Sequence, residues 1–262
     1  MKVFNLALPD HNRVPVVASL PHSGTHVPRR LFKQFRQDPP PVFAPVDWHL
    51  DEVYRFLPGL GIVTIQATHS RYVVNLNRGL TPPFFGPERE SVVPRSNCFA
   101  HPLYDREPPE DEVRERIEKY YLPYHQRLER ILRKTIQDFG RAYLVDLHSY
   151  YKGPEYDVCL GDVNGTSCSE LLTGSFERAF QHQGFSVVRN EMWLGGHITR
   201  HYGSMNNVEA VQIELHFPAY LEGESFGENE VPGYDSEKFR GVRERLRSVF
   251  IAAVDMLLRR NN

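Results

Sequence analysis

The stretch Tyr143-Leu144-Val145-Asp146-Leu147-His148-Ser149-Tyr150-Tyr151 decides how this chain is read. Leu144, Val145 and Leu147 make a short apolar run of the kind that lies buried in a mainly parallel sheet. Asp146, His148 and Ser149 then crowd polar chemistry into the end of that run. In open α/β sheets, ligands and catalytic groups collect outside the carboxyl ends of the strands. A histidine there is placed to hold a metal ion or to move a proton.

Working outward, Val14–Leu20 reads as a second central strand, and it runs into Pro21-His22-Ser23-Gly24-Thr25-His26. His22 therefore stands at another strand end, either as a hydrogen-bonded loop histidine or as a ligand; His26 lies further out. A Pro-rich connector (Asp38–Pro41, Pro45) leads to Asp47-Trp48-His49-Leu50-Asp51-Glu52-Val53-Tyr54. Asp47 can cap a helix starting there, or turn its carboxylate toward a metal. Gly61–Ala67 is the next strand. Arg71 and Arg78 follow it, bracketing an apolar run. They are either partners of structural ion pairs or a bidentate clamp for an acidic substrate.

Residues 79–109 are rich in Pro and Gly and aperiodic, as expected of a lid or specificity loop. Residues 110–138 have helical period, with Pro123 predicted to kink or divide the helix, Gly140 to end it and His125 on a solvated face. Short strands are expected at Asp157–Gly161 and Phe185–Val188. Between them lies a helix carrying Leu171, Leu172, Phe176, Ala179 and Phe180, capped by Ser167 or Ser169. Leu194–Gly203 reads as a glycine-rich loop bearing His197, Arg200 and His201. Val208–His216 is a further strand whose apolar run is ended by Glu214, a carboxylate that is either ion-paired or functional. Residues 236–260 form a last helix with core spacing. The alternation predicts a three-layer α/β/α fold with a mixed, mainly parallel central sheet, as one domain over residues 1–262.

Bulk properties narrow the function. Of the 262 residues, 40% are hydrophobic and 24% charged, with a net charge of −2, so nothing favours nucleic acid or an anionic membrane. No apolar run approaches the roughly 20 residues of a membrane span, and the apolar part of Met1–Asp10 is too short for a signal peptide. Cys98, Cys159 and Cys168 fall in no paired zinc spacing and suit reduced thiols in a cytoplasm. Neither Ser23 nor Ser149 sits in a G-x-S-x-G elbow. What the strand ends do supply is His22, the Arg71–Arg78 segment, His148 and Glu214. Two imidazoles and a carboxylate with an open position form a catalytic zinc set. A further carboxylate serves as general base and an arginine as oxyanion donor.

The chain resembles the N-formylglutamate amidohydrolase family over nearly its full length. The resemblance is carried by Pro21–Thr25, Asp47-Trp48-His49, Ser70-Arg71-Tyr72-Val73-Val74-Asn75-Leu76-Asn77-Arg78, Asp146-Leu147-His148-Ser149, Asn164–Cys168, Gly195–Gly203 and Val211–Leu215. That family is similar in turn to the zinc carboxypeptidases. The resemblance implies a zinc-carboxypeptidase-like fold and a Zn²⁺ or other divalent ion on His22 and His148. It further implies Glu214 as general base, Arg71 as oxyanion arginine, and Asn77 and Arg78 as substrate-carboxylate clamp, with His197 and Arg200 beside the substrate. The carboxypeptidase pattern has a glutamate where Thr25 stands, so the third ligand is expected from Asp47, with Asp51 and Glu52 behind it. Asn75 stands where the family usually has aspartate, which implies a relative with a shifted substrate. The implied substrate is a small acidic N-acyl amino acid, N-formyl-L-glutamate first, with a place in histidine degradation. Another N-acyl amino acid, a γ-glutamyl or peptidoglycan-type peptide, or a non-catalytic binding role stand as alternatives.

Overall fold

A computed structural model describes residues 2–9, 11–36, 46–153, 155–223 and 231–259; the Pro-rich connector at 38–45 lies outside the described residues. The strands are β1 (Phe4–Ala7), β2 (Val16–Leu20), β3 (Val63–Ala67), β4 (Phe85–Gly86), β5 (Val93–Pro94), β6 (Ala142–Tyr150), β7 (Val158–Gly161), β8 (Val187–Arg189) and β9 (Val208–His216). The helices are α1 (Arg29–Phe32), α2 (Leu50–Val53), α3 (Glu110–Arg116), α4 (Leu122–Phe139), α5 (Glu170–His182), α6 (His197–Gly203), α7 (Phe217–Tyr220) and α8 (Glu237–Arg259).

Seven strands form one sheet in the order β1-β3-β2-β6-β9-β7-β8. β3, β2, β6 and β9 run parallel, whereas β1 pairs antiparallel with β3 and β7 antiparallel with β9. Every residue of β2 and of β6 is buried, which is why these strands read as near-continuous apolar runs. α4 and α6 pack against one face of the sheet, and α2, α5, α7 and α8 line up along the other. Phe176 of α5, Phe250 of α8 and Tyr54 interlock by edge-to-face contacts in that second layer. The sheet is thus mixed and mainly parallel, between two helical layers, as the alternation predicts.

Register positions the chemistry. His148 on β6 lies opposite Glu214 on β9, and Asp146 opposite Gln212. Successive strand residues alternate faces, so these four side chains share the face that carries α6. Ser19 of β2 pairs with Asp146 in register, and its hydroxyl donates to the Asp146 carboxylate at 3.0 Å.

Several local expectations need correction. Asp47 does not cap α2: His49 occupies that position in a left-handed conformation (φ 55°), and Asp47 turns inward. The segment expected as a glycine-rich loop closes into α6 from His197 onward, because only Gly195 and Gly196 interrupt helical residues. His125 is not on a solvated face; its ring bonds the Leu76 carbonyl at 2.9 Å and the Tyr202 hydroxyl at 3.0 Å. Ser169 precedes α5, but its hydroxyl goes to Glu209 instead of capping, and Ser167 bonds the Ala210 carbonyl. Pro123 is accommodated by a π-helical turn at Ile117–Tyr121 directly before α4. The start of the chain holds an edge strand, β1, that alternates half-buried and exposed residues too briefly to stand out. All three cysteines are free.

Candidate active site

The carboxyl ends of β2, β6 and β9 open onto a cavity of about 850 Å³ lined by His22, Asp47, Arg71, Asn77, Arg78, His148, His197, Arg200 and Glu214, among others. Asp47 reaches it because its N–H donates to the His22 carbonyl at 3.1 Å. The neighbouring Trp48 carbonyl accepts from Tyr220, whose hydroxyl also contacts Ser149 at the end of β6. The loop before α2 is in this way fastened to two strand ends at once.

At the floor, the His22 and His148 rings stand 4.8 Å apart between centroids, nearly edge-on. Asp47 Oδ2 lies 3.0 Å from His148 Nδ1 and 4.0 Å from His22 Nδ1. One ligand atom from each of these three buried residues falls within 4.8 Å of the others. Hydrogen bonding determines which nitrogen His22 offers. The Asn77 backbone N–H donates to Asn75 Oδ1 at 3.0 Å, so that oxygen is an acceptor, and His22 Nε2 at 2.7 Å must donate to it. The Nδ1 lone pair of His22 therefore faces Asp47. On His148 the outer nitrogen, Nε2, meets Asp146 Oδ2 at 3.0 Å. Imidazoles with the outer N–H held by an oxygen and the inner nitrogen converging with a carboxylate have the arrangement of metal-ligating histidines. The donor set fits a zinc-like divalent ion.

Electrostatics sets the two imidazoles apart. Burial, then the positive charge of Arg71, keeps His22 well below its ordinary pKa, so it is neutral. For His148 burial also opposes charge, but Asp146 and Asp47 override it and hold the group well above its ordinary value. Glu214 is pushed up to about 8, mainly by burial, with His148 opposing. It accepts a 2.7 Å bond from Gln212 Nε2 and has no ion pair among the described residues, so the paired-carboxylate alternative does not hold. Gln212 itself accepts from the Gly196 N–H, which ties β9 to the start of α6.

Arg71 and Arg78 meet around a carboxylate that the sequence reading did not single out. Glu88, from the long loop, pairs with Arg71 and, at 3.4 Å, with Arg78. Arg78 Nε additionally bonds the Glu88 carbonyl and Nη1 the Asn77 carbonyl. Arg71 Nε is buried without a partner among the described residues. The Arg71 and Arg78 side chains nonetheless keep 16% and 20% exposure, enough for a ligand in the cavity to reach them.

The profile of the N-formylglutamate amidohydrolases matches residues 14–221. The chain belongs to that family. It is 32% identical over 226 residues to an N-formylglutamate deformylase of Pseudomonas putida, covering 80% of this chain and 83% of that one. It is 34% identical over 227 residues to the deformylase of Pseudomonas aeruginosa, with the same coverage. A crystal structure of an N-formylglutamate amidohydrolase from Ralstonia eutropha superposes along the whole of both chains with a TM-score of 0.82 at 28% identity. A gene product of Agrobacterium tumefaciens shares the fold at a TM-score of 0.72 and 17% identity.

Within this family member the residues expected at the site divide as follows. His22, Asp47 and His148 cluster; Asp51 and Glu52 stay on α2 outside the cavity lining, Glu52 turned to Arg55. Glu214 joins His148 through the β6–β9 register. Asn77 lines the cavity with its amide already engaged: Oδ1 accepts from the Ile198 N–H at 2.8 Å, and Nδ2 lies 3.0 Å from His148 Nε2. Arg200 stands at the exposed margin with Nε on the Gly195 carbonyl, and His197, lowered to about 4 by burial and His201, lines the wall. Asp146 and Gln212 were legible in principle, since each stands two residues before a site residue on the same strand face. Glu88 carried no such signal.

Proposed function

We propose that this chain is a divalent-metal amidohydrolase that cleaves the amide of an N-acylated acidic amino acid, with N-formyl-L-glutamate giving formate and L-glutamate as the simplest case. The observation that carries the reading is the convergence of His22 Nδ1, His148 Nδ1 and Asp47 at the floor of a cavity walled by arginines. His22, His148 and Asp47 would hold a zinc-type ion, which when bound supplies Lewis acidity toward water and an amide carbonyl. Glu214 takes a proton from the attacking water and returns it to the departing nitrogen. Burial raises the affinity of this carboxylate for the proton it takes. Arg71, through the part of its guanidinium that lines the cavity, donates to the oxygen that gains negative charge as water adds. Arg78, steadied by Glu88 and the Asn77 carbonyl, offers its remaining N–H groups to the substrate carboxylate, with Asn77 adjacent and His197 and Arg200 flanking it.

The reading takes residues 1–262 as one catalytic domain acting in the cytoplasm on a small acidic molecule. No helix among the described residues is long and apolar enough to cross a membrane. The deformylase names of the Pseudomonas relatives support the formyl substrate. The test is formate release from N-formyl-L-glutamate by the purified chain before chelation, after chelation, and after zinc is restored. Turnover should vanish and return. Activity untouched by complete metal removal would end the metal reading; a metal-loaded chain inert on every N-acyl glutamate and aspartate would end the amidohydrolase reading.

A further inference from the structure

The cavity is larger than the substrate just proposed, and the surplus has a definite character. N-formylglutamate has about a dozen non-hydrogen atoms, whereas cavities of roughly 300–1,000 Å³ hold drug-sized ligands; this one measures about 850 Å³. Beyond the charged groups of the floor, the lining carries Phe99, Tyr151, Met192, Trp193 and Leu194, with Lys152 Nζ 5.2 Å from the Phe99 and Tyr151 ring centroids. Met192 is 50% exposed and Leu194 37%, so large apolar side chains face solvent beside a polar site. A formyl group presents no apolar body to such a wall.

The wall is built in advance. Trp193 lies against the Tyr150 ring at 4.5 Å, and its far edge rests on Gly153, where a Cβ would come within 3.0 Å of the indole and 3.1 Å of Met192 Sδ. Phe99 meets Tyr151 edge-on at 6.3 Å. Tyr150 ends β6 and Tyr151 follows it, two and three residues past His148. This wall is thus continuous with the floor that carries His148.

We infer that this wall is an acyl subsite and that the preferred substrates are N-acyl-L-glutamates whose acyl group carries an apolar chain or ring, formyl being the small extreme. The inference rests on the amidohydrolase reading above. The reaction is unchanged: water oxygen bonds the acyl carbon, the C–N bond breaks, the nitrogen takes the proton, and an apolar carboxylate leaves with glutamate. Burying one methylene is worth about a fourfold gain in kcat/KM, so a hexanoyl chain covering even half its length should gain at least about tenfold over formyl.

The experiment compares kcat/KM for N-formyl-, N-acetyl-, N-hexanoyl- and N-benzoyl-L-glutamate with the zinc-supplied full chain, and repeats it with Trp193→Ala and Met192→Ser. Met192 is exposed enough that its substitution does not threaten folding. The inference expects hexanoyl and benzoyl to exceed formyl by about tenfold or more, and both variants to lower those substrates while formyl turnover stays within about twofold. A kcat/KM that falls steadily from formyl upward overturns it, as do variants that lower all substrates alike. Formyl turnover without turnover of the larger acyl groups removes the subsite alone. No turnover of any member of the series removes the amidohydrolase reading and the subsite with it.

Discussion

Gly196→Ala gives the sharpest test of how the site is assembled. An added Cβ at this position would stand 2.5 Å from Asn77 Oδ1 and 2.6 Å from its Cγ, with Nδ2 closer still. The Asn77 amide cannot yield freely, because Oδ1 takes the Ile198 N–H and Nδ2 lies beside His148. Relieving the overlap means moving either Asn77 or the start of α6 by about an ångström. Overpacking of this kind costs about 1–3 kcal/mol, and weakening two buried hydrogen bonds adds about 1–2 kcal/mol. A displacement of that size at a catalytic site lowers rate by about a hundredfold. The measurement is a double-mutant cycle in kcat/KM and thermal midpoint with Asn77→Ala, which removes the three atoms nearest the new Cβ. Gly196→Ala should lose about a hundredfold in the native background and less than about threefold on top of Asn77→Ala. Equal losses in both backgrounds would refute the steric reasoning, since the clash would then lie elsewhere.

Three other outcomes follow from the same geometry. Glu214→Gln keeps the shape and the Gln212 contact but cannot take up a proton, so kcat should fall by at least about a hundredfold while zinc affinity, read by calorimetry, stays near native. Glu88→Gln leaves two half-buried guanidinium groups without their shared counter-charge. It should raise KM for N-formylglutamate by about tenfold or more, and a thermal midpoint and KM both at native values would remove Glu88 from its positioning role. His125 is held down to about 3 by burial and by His197, so the folded protein keeps it neutral where the unfolded chain protonates. The unfolded state then binds more protons. This contribution is complete above about pH 6.5 and is lost as pH falls toward 3, at up to about 1.4 kcal/mol per pH unit. His125→Gln should flatten the acid limb of a plot of unfolding free energy against pH, and an unchanged slope would show that other groups govern it.

Family membership and the sheet were legible because both are written locally. A buried strand must be apolar along its length, so Leu144, Val145 and Leu147 announce β6, and any polar residue inside such a run is conspicuous. That is why His148 and Glu214 could be picked out, and why the two-residue period also marks Asp146 and Gln212 as their face-mates. The short edge strand β1 was not legible, because alternating half-buried residues over four positions resemble any polar terminus.

Tertiary structure decided the rest. Asp47 looks like a helix cap in sequence, because a carboxylate before an amphipathic stretch usually is one. Only its backbone bond to His22 and the left-handed turn at His49 point it at the two imidazoles instead. His125 follows polar helical spacing, yet it is covered once α6 packs against α4 and brings Tyr202 to its ring. Glu88 lies in an aperiodic loop, and its pairing with Arg71 and Arg78 depends on how that loop folds back over the sheet. Local patterns record which face a residue occupies within its own strand or helix. Which distant atoms share a point in space depends on chain closure over tens of residues, and no short window of sequence encodes that.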